Sequence, residues 1–77
     1  MWEITNNHLS KEFNFKSFEE AIKFISVLAV ICANENHHPE IVNLYSKVTL
    51  SFCTHDAGNK VTELDYKLSR LVDEIVL

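Results

Sequence analysis

Two imidazoles and a proline stand together at His37-His38-Pro39, and a third imidazole follows at His55. Histidine titrates near neutrality, with an unperturbed pKa of about 6.5, so three in one place would suit proton transfer to and from a substrate. Adjacent strand residues point to opposite faces, so His37 and His38 can share a target only where the chain twists. Pro39 is the only proline, and it pushes His38 towards extended geometry. Zinc ligation and the closing of a helix end compete with acid–base work for the same residues. Asp56 or Asp65 could complete a zinc set, but HxH, HxxxH and HExxH spacings are all missing. Ser51 and Cys53 lack the context of an activated nucleophile, and His8 stands alone on an early strand.

The elements that must position these groups can be read from periodicity. Residues 2–5 alternate apolar and polar, and Asn6-Asn7 suits a two-residue turn. Residues 8–15 put Leu9, Lys11, Phe13 and Phe15 on one strand face. Ser17 and Glu20 form an S-x-x-E capping box that opens a helix. Phe18, Ala21, Ile22, Ile25, Leu28, Ala29 and Cys32 then make a stripe expected to lie on the sheet. Phe24, Val27 and Ile31 lie off it; either the stripe is broad and leaves some apolar residues exposed, or, the favoured expectation, these three meet another subunit. The helix ends near Asn34–Asn36, ahead of Pro39. Residues 41–45 and 47–54 read as a hairpin or a long bent ribbon, with Val48, Leu50 and Phe52 on one face and Thr49, Ser51 and Cys53 on the other. His55 continues that register. HDAGN is a turn in which Gly58 is free to take positive φ. Thr62 and Asp65 open a last helix, with Leu64, Leu68, Leu71, Val72 and Ile75 as its stripe. The expected fold is α+β in two layers: a four-stranded antiparallel sheet with two helices on one face, in the order β-β-α-β-β-α.

With 77 residues the chain allows one domain, residues 1–77. Such a domain buries only about 60% of its unfolded surface, and an apolar content of 47% leaves surface for another subunit to cover. The formal net charge is −4 with no basic cluster, which argues against direct nucleic-acid binding. The longest apolar run, Val27 to Ala33, is too short to span a bilayer, and no signal-peptide pattern opens the chain. Cys32 and Cys53 sit in apolar stretches and read as buried free thiols. A cytoplasmic protein without membrane contact is expected.

The run HHPEIVNLYSKVTLSFCTHDAG, followed by VTELD, resembles the pterin-4a-carbinolamine dehydratases. That family also includes the dimerisation cofactor of a homeodomain transcription factor. The resemblance rests on the His-His-Pro triplet, Tyr45 after it, the Thr54-His55 pair before the Gly58 turn, and Asp65 on the last helix. More loosely, it covers nearly the whole chain. It implies dehydration of a 4a-hydroxytetrahydropterin to the quinonoid dihydropterin, which recycles the cofactor of aromatic amino-acid hydroxylases, with no metal or organic cofactor. The implied catalytic residues are His37, His38 and His55. His37–Pro39 and Thr54, His55, Asp56 and Ala57 would hold the pterin ring, and Asp65 would orient a histidine or close the pocket. The resemblance also implies a homodimer or homotetramer with the 17–35 helix at a subunit interface. Two positions depart from the family pattern. Ala33 stands where an acidic residue is usual, with Glu35 nearby, and Ile41 stands where many members carry Trp. An oligomeric binding or coactivator protein of the same fold, with weak or no catalysis, is the alternative.

Overall fold

The computed structural model describes residues 1–77. The chain runs β1 (Glu3–Thr5), β2 (His8–Asn14), α1 (Phe18–Glu35), β3 (Glu40–Leu44), β4 (Lys47–Phe52) and α2 (Glu63–Asp73), with a 3-10 turn at His55–Ala57. All neighbouring strands are antiparallel, in the order β1-β2-β4-β3. The fold is the two-layer α+β arrangement that the periodicity predicts.

Local chemistry sets most of the boundaries. Asn6 and Asn7 both take positive φ, so two residues turn β1 into β2. Ser17 accepts a hydrogen bond from the Glu20 N–H at 3.1 Å and starts α1. The Glu20 carboxylate reaches one residue beyond the usual capping box, to the Lys16 N–H at 3.3 Å. Tyr45 takes a positive φ of 55° in the β3–β4 turn, where Asn43 Nδ2 donates to the Tyr45 and Lys47 carbonyls.

The core lies between sheet and helices. Leu9, Val48, Leu50 and Phe52 contribute the sheet side, Ala21, Phe24, Leu28 and Cys32 come from α1, and Leu68 and Val72 from α2. Lys11 also projects on this side; its ammonium lies over the Phe13 ring, 4.7 Å from the centroid, and pairs with Asp73 at 2.9 Å.

The α1 stripe differs from the expected one in phase. Phe24 is 3% exposed and packs against Phe13 and Phe15, and Ile31 packs against the core. Phe18, Ile22 and Ala29, expected on the sheet, face outward. The reason is geometric. The buried line Ala21-Phe24-Leu28-Cys32 follows i, i+3, i+7, i+11, and Phe18, Ile22 and Ala29 fall on one flank of it. Of the three residues assigned to a subunit contact, only Val27 is exposed. Both cysteines are free and buried, and burial pushes the Cys32 thiol above its ordinary pKa. No helix is long and apolar enough to cross a membrane.

Candidate active site

His37 is delivered by the end of α1. Asn36 takes the left-handed conformation, φ 51° and ψ 43°. Its N–H donates to the Ala33 carbonyl, and the His37 N–H donates to the Cys32 carbonyl at 3.1 Å. This pair of bonds is a Schellman motif with Asn in place of the usual Gly. It turns the chain sharply and aims the His37 ring back beneath the helix. The ring is 9% exposed and lies nearly parallel to Phe52, 17° between planes with centroids 6.1 Å apart.

His37 Nε2 lies 2.6 Å from Asp65 Oδ1. Asp65 is fully buried near the start of α2, and its other oxygen accepts from the Thr62 N–H and the Thr54 hydroxyl, each at 2.8 Å. Burial alone would raise the Asp65 pKa. The bonds from His37, the Thr62 N–H and Thr54 outweigh it and hold the carboxyl below its ordinary range. Asp65 therefore stays ionised and accepts only, so His37 carries a proton on Nε2 and presents Nδ1 to a ligand. One carboxylate caps α2 and also fixes the imidazole.

His55 is fixed differently. The chain leaves the strand register after Phe52: Thr54 bridges to Lys60, and His55 opens the 3-10 turn. The continued strand register expected for His55 is thus broken, because Thr54 N–H is drawn to the Lys60 carbonyl at 2.8 Å. Gly58 closes the turn with φ 80°. His55 Nδ1 lies 2.7 Å from Asn59 Oδ1. With the amide oxygen as acceptor, Nδ1 is the donor and the neutral ring keeps a free lone pair on Nε2.

The three imidazoles come together. His37, His38 and His55 line one cavity of about 370 Å³ with Asn36, Thr54, Asp56 and Leu64. Of the other expected binding residues, Thr54 and Asp56 line it, Asp65 lies behind His37, and Pro39 and Ala57 are absent from the lining. Asn36, Leu64, Asn59 and Thr62 were not anticipated in the site; the one local signal was an Asn four residues after His55, beside the single Gly. Glu35 does not replace the acid missing at Ala33. Its carboxylate is turned to α2, where it pairs with Lys67 at 2.7 Å. No group of three or more His, Cys, Asp or Glu is arranged to hold a metal ion.

Comparison with known proteins agrees with this architecture. The family model for pterin 4 alpha carbinolamine dehydratase matches residues 1–75. A protein of Prochlorococcus marinus strain MIT 9515, provisionally named a pterin-4-alpha-carbinolamine dehydratase, is 49% identical over 74 residues, which cover 96% of this chain and 76% of that one. A relative with the same provisional name from Sulfurisphaera tokodaii is 37% identical over 75 residues, covering 97% of this chain and 80% of its own. The crystal structure of a transcriptional coactivator/pterin dehydratase from Brucella melitensis superposes with a TM-score of 0.87 at 34% identity, over 94% of this chain and 78% of that one. A pterin dehydratase-like protein described as a RuBisCO assembly factor in the alpha-carboxysome shares the fold, with a TM-score of 0.76 at 20% identity over 95% of this chain and 83% of its own. The chain belongs to the pterin-4-alpha-carbinolamine dehydratase family.

Proposed function

We propose that this chain, acting as a single domain, dehydrates a 4a-hydroxytetrahydropterin to the quinonoid dihydropterin in the cytoplasm, recycling tetrahydrobiopterin. The observation that carries the reading is the convergence of His37, His38 and His55 on one cavity, with the His37 ring anchored on Asp65 and the His55 ring on Asn59. Breaking the C4a–O bond needs a proton on the leaving hydroxyl, and forming C4a=N5 needs the N5 proton removed. In this step His37 acts as the imidazolium: its Nε2–H stays on Asp65, its Nδ1–H gives the proton to the leaving hydroxyl, and the oxygen departs as water from a ring left neutral. The N5–H electron pair forms the C=N bond as that proton passes to His55 Nε2. The Asp65 carboxylate fixes the His37 ring and balances its positive charge. His38 assists at the cavity mouth, where Pro39 shapes the chain. Polar groups of Thr54, Asp56 and Ala57 meet the donor and acceptor edge of the pterin.

The test is stopped-flow dehydration of chemically generated 4a-hydroxytetrahydropterin. Wild type should accelerate it, and His37→Ala should lose on the order of 10²–10⁴-fold. Full activity in that variant would remove His37 from the mechanism.

A second reading is an oligomeric binding role with little catalysis. It is favoured by Ala33, which offers no acid where the family usually has one, and by Glu35 being committed to Lys67. A folded wild type that fails to accelerate dehydration would put this reading first.

The subunit contact belongs to the same proposal. Val27 is 40% and Val30 61% exposed on α1, and Phe18 and Ile22 also face outward. A second copy of the helix would cover them in a homodimer or homotetramer.

A further inference from the structure

We propose that Thr54 is a positioning residue that sets the acid and the base against each other: its hydroxyl holds the carboxylate that fixes His37, and its main chain holds the turn that carries His55. The inference rests on the dehydratase reading and adds to it a residue that acts through the two rings rather than on the pterin.

The side chain works on the His37 side. Asp65 is fully buried, and its Oδ2 accepts from the Thr54 hydroxyl at 2.8 Å. An ionised carboxylate only accepts, so Thr54 spends its one hydroxyl hydrogen there. Thr62 Oγ1 lies 2.7 Å from Thr54 Oγ1, so in that contact Thr62 is the donor. The order of donation is therefore fixed, from Thr62 to Thr54 to Asp65. The Thr62 N–H also donates to Oδ2 at 2.8 Å, and Oδ1 is left to His37 Nε2. The last torsion of an aspartate is broad, so its own stiffness does not keep Oδ1 on the ring. The donors on Oδ2 do.

The main chain works on the His55 side. The Thr54 N–H donates to the Lys60 carbonyl at 2.8 Å, and the Thr54 carbonyl accepts from the Ala57 N–H at 3.2 Å and the Lys60 N–H at 3.4 Å. These bonds close the loop around the 3-10 turn that opens at His55, and Asn59 holds the His55 ring inside the same loop. Thr54 lines the three-histidine cavity, yet its N–H, both carbonyl lone pairs and its hydroxyl hydrogen are spent within the chain. One hydroxyl lone pair is left for a ligand, which is too little to account for the residue as a binding group alone.

The experiment compares Thr54→Val, which keeps the shape and loses the hydroxyl, with Thr54→Ser, which keeps the hydroxyl. Both are made in the wild-type and Asp65→Asn chains. Dehydration kinetics give kcat and KM, and NMR titration of the ring protons follows His37. Thr54→Val should lower kcat about 10–100-fold with KM changed less than about 3-fold, and Thr54→Ser should stay within about 3-fold of wild type. On Asp65→Asn, Thr54→Val should cost less than about 3-fold more, because the group it acts through is already lost. His37 should titrate at lower pH in Thr54→Val, towards its value in Asp65→Asn, and stay in place in Thr54→Ser. An unmoved His37 titration in Thr54→Val, or the full loss of kcat repeated on Asp65→Asn, overturns the proposal. A rise in KM alone overturns it too and makes Thr54 a pterin contact. If wild type does not dehydrate the substrate, the dehydratase reading falls, and the His37 titrations still decide whether Thr54 holds the pair. Should Thr54→Val not fold, Thr54→Ala carries the same expectations.

Discussion

His37 Nε2 and Asp65 Oδ1 lie 2.6 Å apart, although 28 residues separate them in the chain. The contact ties the end of α1 to the start of α2 across the top of Phe52. It is also the only partner of the His37 ring nitrogens within the chain. Removing the charge while keeping the shape, as in Asp65→Asn, should free the tautomer of His37. Turnover should fall on the order of 10²-fold or more, with a much smaller change in KM. Parallel losses in kcat and folded fraction would instead mark Asp65 as structural alone.

The same carboxylate predicts an acid dependence of stability. Its pKa in the folded chain lies below the ordinary value of about 3.9. Between those two values the unfolded chain binds more protons than the folded one, so stability rises with pH there. The contribution is fully present above the unfolded value and is lost as pH falls through the folded one. Denaturant unfolding between about pH 2 and 5 should show this slope. Asp65→Asn should flatten it, and an equally steep slope in the variant would assign it to other carboxylates.

Asn59 holds the second ring. Without its amide oxygen, His55 Nδ1 has no partner and the ring can turn or change tautomer. Asn59→Ala should lower kcat about 10-fold or more and leave the fold intact, since the residue is exposed. Its positive φ of 59° makes Asn59→Gly the matching control, which keeps the backbone and loses the same bond. Similar activity losses in both variants would place the effect in the bond, and unchanged activity in both would remove Asn59 from the site.

The turn that delivers His37 is a further test. Asn36 sits at φ 51°, where a β-branched side chain is strained. Asn36→Val should cost about 1–3 kcal/mol in unfolding free energy and lower activity, because the residue that moves next is His37. Asn36→Gly should be close to neutral in stability. The pair of variants, compared by thermal melting and by turnover, separates strain in the turn from loss of the Asn side chain at the cavity wall.

What could be read in advance was what is local. Ser17, Asn6-Asn7, Gly58 and Thr62 act through neighbours within a few residues, and their caps and turns follow from residue type. The strand faces of Val48, Leu50 and Phe52 follow from a period of two. The phase of α1 was not legible in the same way. From Val27 to Ala33 the helix is apolar all round, so several stripes fit the sequence, and only packing against Phe13, Phe15 and α2 selects Phe24 over Ile22. The three histidines were singled out by type and by family resemblance. That Asp65 serves the helix cap and His37 together depends on where α2 docks, and the hold of Asn59 on His55 depends on a 3-10 turn that a strand reading does not contain.

The corrected phase of α1 decides which substitution should disturb assembly. Phe24 is core, so replacing it would unfold the chain and say nothing about subunits. Val27 and Val30 are exposed, and a glutamate at either position costs the isolated fold little. If a second α1 covers this face, a buried charge there has no partner, and association should weaken by several kcal/mol. Val30→Glu, the more exposed of the two, should therefore shift the mass seen in light scattering towards the monomer while its circular dichroism stays that of wild type. An unchanged mass for both Val27→Glu and Val30→Glu would move the subunit contact off α1. The exposed apolar residues Ile41, Val42 and Leu44 on the free edge strand β3 would then be the next to test.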